Sequence, residues 1–189
     1  MRHPTTPFRR QAMVDVLCTV VGSVGLGVTL VHFGKTSAWG SVAAIASERL
    51  NAEDLMRATR PLERAGYGVA VVSGGDAMLT AKSERSDDVQ LLAASTIGDM
   101  DFDRYCALIL PGGVDAISDS ARLVADRFLE AGKPIIAMSD GVKLLADAAN
   151  SPDAADAPAA ISMRGQLFAA RGETAVDDAT ELFAEGLAA

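Results

Sequence analysis

The stretch Lys133-Pro134-Ile135-Ile136-Ala137-Met138-Ser139-Asp140-Gly141-Val142-Lys143-Leu144-Leu145 constrains the fold more than any other part of the chain. The apolar run from Pro134 to Met138 is too short for a helix. It suits a strand buried on both faces. A small polar residue, an acid and a glycine follow, and then Val142, Leu144, Leu145 and Ala148 recur at a spacing compatible with a helix. This reads as a strand, a tight turn and a helix. Such a turn holds Ser139 above the carboxyl end of the strand, where open α/β sheets place their sites. The nucleophile elbow of hydrolases has the same geometry.

The same alternation runs through most of the chain. Ser41 to Ser47 predicts a first buried strand. Ala52 to Ala65 predicts a helix with Leu55, Met56, Thr59 and Leu62 near one face, Asn51 as its cap, and Glu53 and Asp54 favouring its dipole. Pro61 interrupts that helix and Gly66 ends it. Gly68 to Ser73 and Tyr105 to Leu110 predict two further strands, the latter stopped by Pro111-Gly112-Gly113. Ser118 to Ala131 predicts a helix with Leu123, Val124, Phe128 and Leu129 inward. Asp177 to Leu187 predicts a closing helix packed through Leu182, Phe183 and Leu187. Gly74 to Asp103 is the least regular region, with a loop over Lys82–Asp88 and a short edge strand expected over Val89 to Ala93; Ile161 to Met163 and Gln166 to Ala170 predict two more short strands after a loop over Asn150–Pro158. Strands alternating with helices predict a single three-layer α/β domain over residues 41–189. Its sheet is mostly parallel and covered by helices on both faces.

Residues 1–40 stand apart. Arg2, Arg9 and Arg10 precede an almost wholly apolar run from Val16 to Val31, and Thr36-Ser37-Ala38 follows. Basic, apolar and small residues in that order predict a secretory signal peptide cut after Ala38, or an anchor through residues 13–33. A cytoplasmic chain with a buried N-terminal segment is the alternative. The 189 residues carry a formal net charge of −8, which argues against a nucleic-acid partner, since that needs a basic face. Any membrane contact falls to the N-terminal segment. Cys18 and Cys106 show no metal-ligand or disulfide spacing. The only histidines are His3 and His32, both before the predicted domain.

Three segments carry a family resemblance. Asp101-Phe102-Asp103-Arg104-Tyr105-Cys106-Ala107-Leu108-Ile109-Leu110-Pro111-Gly112-Gly113 resembles the D-x-D-A-L-I-L-P-G-G segment of the DJ-1/PfpI family. Ala131-Gly132-Lys133-Pro134-Ile135-Ile136-Ala137-Met138-Ser139-Asp140-Gly141 resembles its G-K-P-I-A-A-I-C-H-G elbow, and Leu62 to Ser73 its first helix and second strand. Arg171 to Ala189 is similar to its closing segment. The resemblance implies a flavodoxin-like, class I glutamine amidotransferase-like fold and a homodimer. It also implies that the family's nucleophilic cysteine falls on Ser139, its histidine on Asp140 and its acid on Asp54. Family activities include peptide hydrolysis, glyoxalase-type hydration, deglycation and redox sensing. The Met-Ser-Asp-Gly elbow is also similar to the non-catalytic C-terminal domain of large-subunit catalases.

A serine hydroxyl is a poor nucleophile until a base takes its proton, and that base is usually histidine. Lys133 belongs at the far end of the strand, and Lys143 points away on the departing helix. Ser139 is therefore expected to cap the helix at Gly141. Asp54 and Asp140 are expected to face each other as an acid–base pair or to sit at helix N-termini. Gly112 and Gly113 would form either an anion pocket for a small anionic or carbonyl ligand or a plain turn. Cys106 reads as a core thiol, and Asp99, Asp101 and Asp103 as a solvated acidic loop; no metal or cofactor is expected. The favoured reading is a catalytically degenerate domain acting in binding, assembly or stress protection. The alternatives are a Ser139 hydrolase, a hydratase-like Asp54–Asp140 site and a membrane-tethered accessory protein.

Overall fold

The computed structural model describes residues 29–31, 40–83, 88–149, 161–163 and 167–188. The loop expected over Asn150–Pro158 and most of the N-terminal segment lie outside them. The strands are β1 (Thr29–Val31), β2 (Ser41–Ala46), β3 (Gly68–Ser73), β4 (Met78–Ala81), β5 (Val89–Leu92), β6 (Ser95–Thr96), β7 (Tyr105–Leu110), β8 (Ile135–Met138), β9 (Ile161–Met163) and β10 (Leu167–Ala170). The helices are α1 (Ala52–Arg64), α2 (Ser118–Glu130), α3 (Gly141–Ala148) and α4 (Glu173–Ala188). None of the described helices is long and apolar enough to cross a membrane.

The main sheet has seven strands in the order β6-β3-β2-β7-β8-β10-β9. All its pairings are parallel except β10 with β9. The central strands are buried on both faces, which explains their continuous apolar runs. Alternate residues divide between two cores. Val42, Ala44, Ile109, Ile136 and Met138 pack on the side of α1 and α4. Ala43, Ile45, Leu108, Leu110, Ile135 and Ala137 pack on the side of α2 and α3. A second, three-stranded sheet, β1-β5-β4, sends Leu79, Ala81, Val89 and Leu91 into the first core.

Helix α1 begins as expected. The Asn51 side chain accepts from the Asp54 amide at 3.1 Å, and Glu53 and Asp54 occupy its first turn. Pro61 sits in its last turns without ending it. Two expectations fail. Leu123 is 67% exposed and Leu182 47% exposed. Val124, Ala125 and Phe128 fill the inner face of α2, and Val176, Ala179 and Phe183 that of α4, so the neighbouring leucines turn outward. Helix α4 also starts earlier than expected, at Glu173. Strand β4 lies in the stretch expected to be irregular, and β5, expected at an edge, is the middle strand of the small sheet because β4 and β1 take its two sides.

Candidate functional site

The strand order doubles back on either side of β2. Its neighbour β3 follows next in the chain on one side, and β7 and β8 lie on the other. A parallel sheet with such a reversal opens a crevice at the carboxyl ends of the strands there. Three connections meet at that edge. Ser47 to Asn51 leads from β2 to α1, Pro111 to Gly113 leaves β7, and Ser139-Asp140 joins β8 to α3.

Ser139 is the apex of the last connection. Its φ is +51°, the one non-glycine in the left-handed region among the described residues. An L-residue held there costs about 1–2 kcal/mol. Tertiary contacts fix it: its amide donates to Ala170 O at 3.2 Å, and its Oγ donates to Asp54 Oδ2 at 2.6 Å. The expectation that Ser139 caps α3 is corrected here. The N-cap position belongs to Asp140, whose side chain makes no cap bond. The left-handed turn aims the Ser139 side chain across the crevice toward α1.

The two aspartates accept from consecutive backbone amides of the glycine turn. Asp54, 8% exposed, accepts from Ser139 Oγ and also from the Gly112 amide at 3.2 Å, both on Oδ2. Asp140 accepts the Gly113 amide on Oδ1 at 2.7 Å. Consecutive backbone donors, the ones an anion or oxyanion would seek, are thus each held by a carboxylate of the chain itself. Gly113 is required by backbone, and Gly112 is tightly enclosed by side chains. A Cβ on Gly112 would lie 2.8 Å from Asp54 Oδ2, and Gly113, at φ +91°, would bring one within 2.0 Å of Arg49 O.

Two residues reading the sequence alone missed are Ser47 and Asn51 in its wider role. Ser47 Oγ donates to Gly113 O at 2.5 Å, and the Asn51 amide donates to Gly112 O at 3.1 Å. The glycine turn is therefore clamped on its carbonyls from the β2–α1 connection and on its amides by Asp54 and Asp140. The signal was the shared sheet edge: polar residues just after β2 must face the turn after β7.

Lys133 lies where expected. Lys133 donates to Phe102 O at 2.8 Å at the amino end of β8, and Lys143 is exposed. Lys143 and Asp140 line a cleft of about 340 Å³ between α2 and α3, with Asp115, Asp119, Arg122 and Asp147. Asp99 and Asp101 close short turns: Asp99 bonds Thr96, and Asp101 accepts the Asp103 amide. Cys106 is half-buried and donates to Ser41 O at 3.4 Å. Burial pushes its thiol pKa up, outweighing its own backbone hydrogen bond and Lys133, which pull it down.

Fold and site together define a flavodoxin-like α/β protein with a strand–turn–helix elbow at the crevice. A family model described as the DJ-1/PfpI family matches residues 41–186. The chain belongs to that family. Its backbone is similar to that of a ThiJ/PfpI domain protein from Brachyspira murdochii: TM-score 0.65, 15% identity, 78% of this chain and 96% of that one. It is also similar to Drosophila melanogaster DJ-1beta: TM-score 0.65, 20% identity, 79% and 90%. A third likeness is to a two-domain protein from Anabaena variabilis containing DJ-1/ThiJ/PfpI-like and ferritin-like domains: TM-score 0.66, 19% identity, 78% and 50%. Identities this low speak for fold alone. No curated protein sequence matches the chain.

Proposed function

We propose that this chain is a non-catalytic DJ-1/PfpI domain that acts in binding, assembly or stress protection, as a homodimer. One observation carries the reading: Asp54 and Asp140 occupy the Ser139 hydroxyl and the Gly112 and Gly113 amides. Acyl transfer needs free donors where negative charge develops. It also needs a base for the nucleophile, and no histidine occurs among the described residues. Here the same groups tie β7, β8 and α1 together.

A second reading draws on the short Ser139–Asp54 bond. In it Asp54 Oδ2 takes the Ser139 proton, Oγ bonds to an acyl carbon, and the bond from that carbon to its alcohol or amine breaks as Asp54 returns the proton to the leaving group, giving an acyl-serine that water then hydrolyses. A carboxylate is a weak base for an alcohol, and the neighbouring amides are engaged, so this reading is second. A fluorophosphonate probe, with ester, anilide and α-oxoaldehyde substrates, separates the two. The expected result is no adduct on Ser139 and equal background rates for wild type, Ser139→Ala and Asp54→Asn. An adduct on Ser139 Oγ, or turnover lost in Ser139→Ala with folding intact, sinks the non-catalytic reading. Sedimentation measures the dimer; a monomer at micromolar concentration refutes that part.

A further inference from the structure

The small sheet reaches back into the apolar N-terminal segment. Strand β1 pairs in parallel with β5 in the register Thr29↔Val89, Leu30↔Gln90 and Val31↔Leu91. Strand β5 belongs to the core, because Val89 and Leu91 are buried in it. Its other edge is taken by β4. Removing β1 would leave a core strand with one open ladder of N–H and C=O groups, a liability that folded proteins avoid. We propose that Thr29–Val31 stays with the folded protein as the third strand of the small sheet. The apolar run is then neither a leader removed after Ala38 nor a membrane span.

The arithmetic of the run agrees. With residues 29–31 committed to β5, the apolar stretch left is Val16 to Val28. As a helix it would be about 20 Å long, well short of a hydrocarbon core of about 30 Å. Gly22, Gly25 and Gly27 weaken such a helix further. The small sheet also touches the crevice. Lys82, just after β4, donates its amide to Leu50 O and accepts from the Ala52 amide, both at 2.9 Å, on either side of Asn51. Strand β1 thereby helps hold the hairpin that braces the start of α1.

The test uses the full chain, expressed in a host with an export pathway. The intact mass of the purified protein is expected to include residues 29–31; a mass beginning after Ala38 overturns the proposal. Hydrogen exchange at Val89–Leu91 is then compared in wild type, Leu30→Pro and Val24→Pro. Proline in β1 removes a donor and breaks the pairing, so Leu30→Pro is expected to speed exchange there about tenfold or more. Val24→Pro, which lies outside β1, is expected to leave it unchanged. Equal exchange in wild type and Leu30→Pro, or the same acceleration from Val24→Pro, refutes the assignment.

Discussion

Ser139 Oγ and the Gly112 amide share one acceptor, Asp54 Oδ2, at 2.6 Å and 3.2 Å. Three segments distant in sequence therefore converge on a single oxygen. Replacing Asp54 by Ala strips both donors of their partner in a buried place. The expected cost is about 3 kcal/mol, since hydrogen bonds to charged groups contribute about 1.5–3 kcal/mol each and do not add fully. Asp54→Asn keeps an acceptor oxygen and should cost about half as much. Urea unfolding midpoints at constant slope measure both; equal, negligible losses would show that the shared oxygen holds nothing.

Ser139 itself offers a finer comparison. Ser139→Ala loses the bond to Asp54 but keeps the left-handed backbone, so it should destabilise by about 1–2 kcal/mol. Ser139→Gly loses the same bond yet relieves the φ of +51°. It should recover about 1 kcal/mol of that loss. Thermal melts of the two variants read the difference, and a glycine less stable than the alanine would contradict the strain.

Two glycines with positive φ should respond very differently to alanine. At Gly113 a Cβ meets Arg49 O at 2.0 Å, whereas at Gly172, φ +79°, it meets open space. Gly172→Ala should cost about 1 kcal/mol, the price of the backbone alone. Gly113→Ala should cost well over about 3 kcal/mol or prevent folding, because backbone must move. Soluble yield and melting temperature give the contrast.

Helix α4 is held by its apolar face rather than its charges. Phe183 is fully buried and stacks edge-on against Phe168 at 5.3 Å, while Glu181 pairs with Arg64 in the open at 2.9 Å. Phe183→Ala should cost about 3–5 kcal/mol, and Glu181→Ala less than about 1 kcal/mol. Denaturation of the two variants at low and high salt checks the order.

Burial that raises the Cys106 pKa also sets a pH dependence. The folded protein holds the thiol proton to higher pH than the unfolded chain does. Stability from this group is therefore complete below the ordinary thiol range, about pH 8.5. It declines as pH rises from there through the raised folded value. In a Cys18→Ala background, Cys106→Ala should flatten that decline, and Cys106 should react with iodoacetamide at pH 8 more slowly than a free thiol.

Most of the fold was readable because its strands are buried on both faces. Ser41–Ala46, Gly68–Ser73 and Tyr105–Leu110 are continuous apolar runs between turn residues, and each lies where the sequence puts it. Leu123 and Leu182 were misplaced because helix periodicity leaves two adjacent apolar positions competing for one face. Strand β4 was missed because Met78-Leu79-Thr80-Ala81 becomes a strand only by pairing with β5. At the site, residue identity was readable and partnership was not. Asp54, Asp140 and Ser139 stand out in the sequence, but whether Ser139 turns toward its own helix or toward Asp54 depends on a backbone angle that no local pattern encodes.

The clamp on the glycine turn bears on what a thiol at the apex would meet. Ser139→Cys would set sulfur beside Asp54 Oδ2, with Asp140 still seated on the Gly113 amide. That one substitution would add a softer nucleophilic atom while both turn amides stayed engaged. Freeing those amides means replacing Asp54 and Asp140 as well, and each replacement would loosen the knot that joins β7, β8 and α1 at this edge of the sheet.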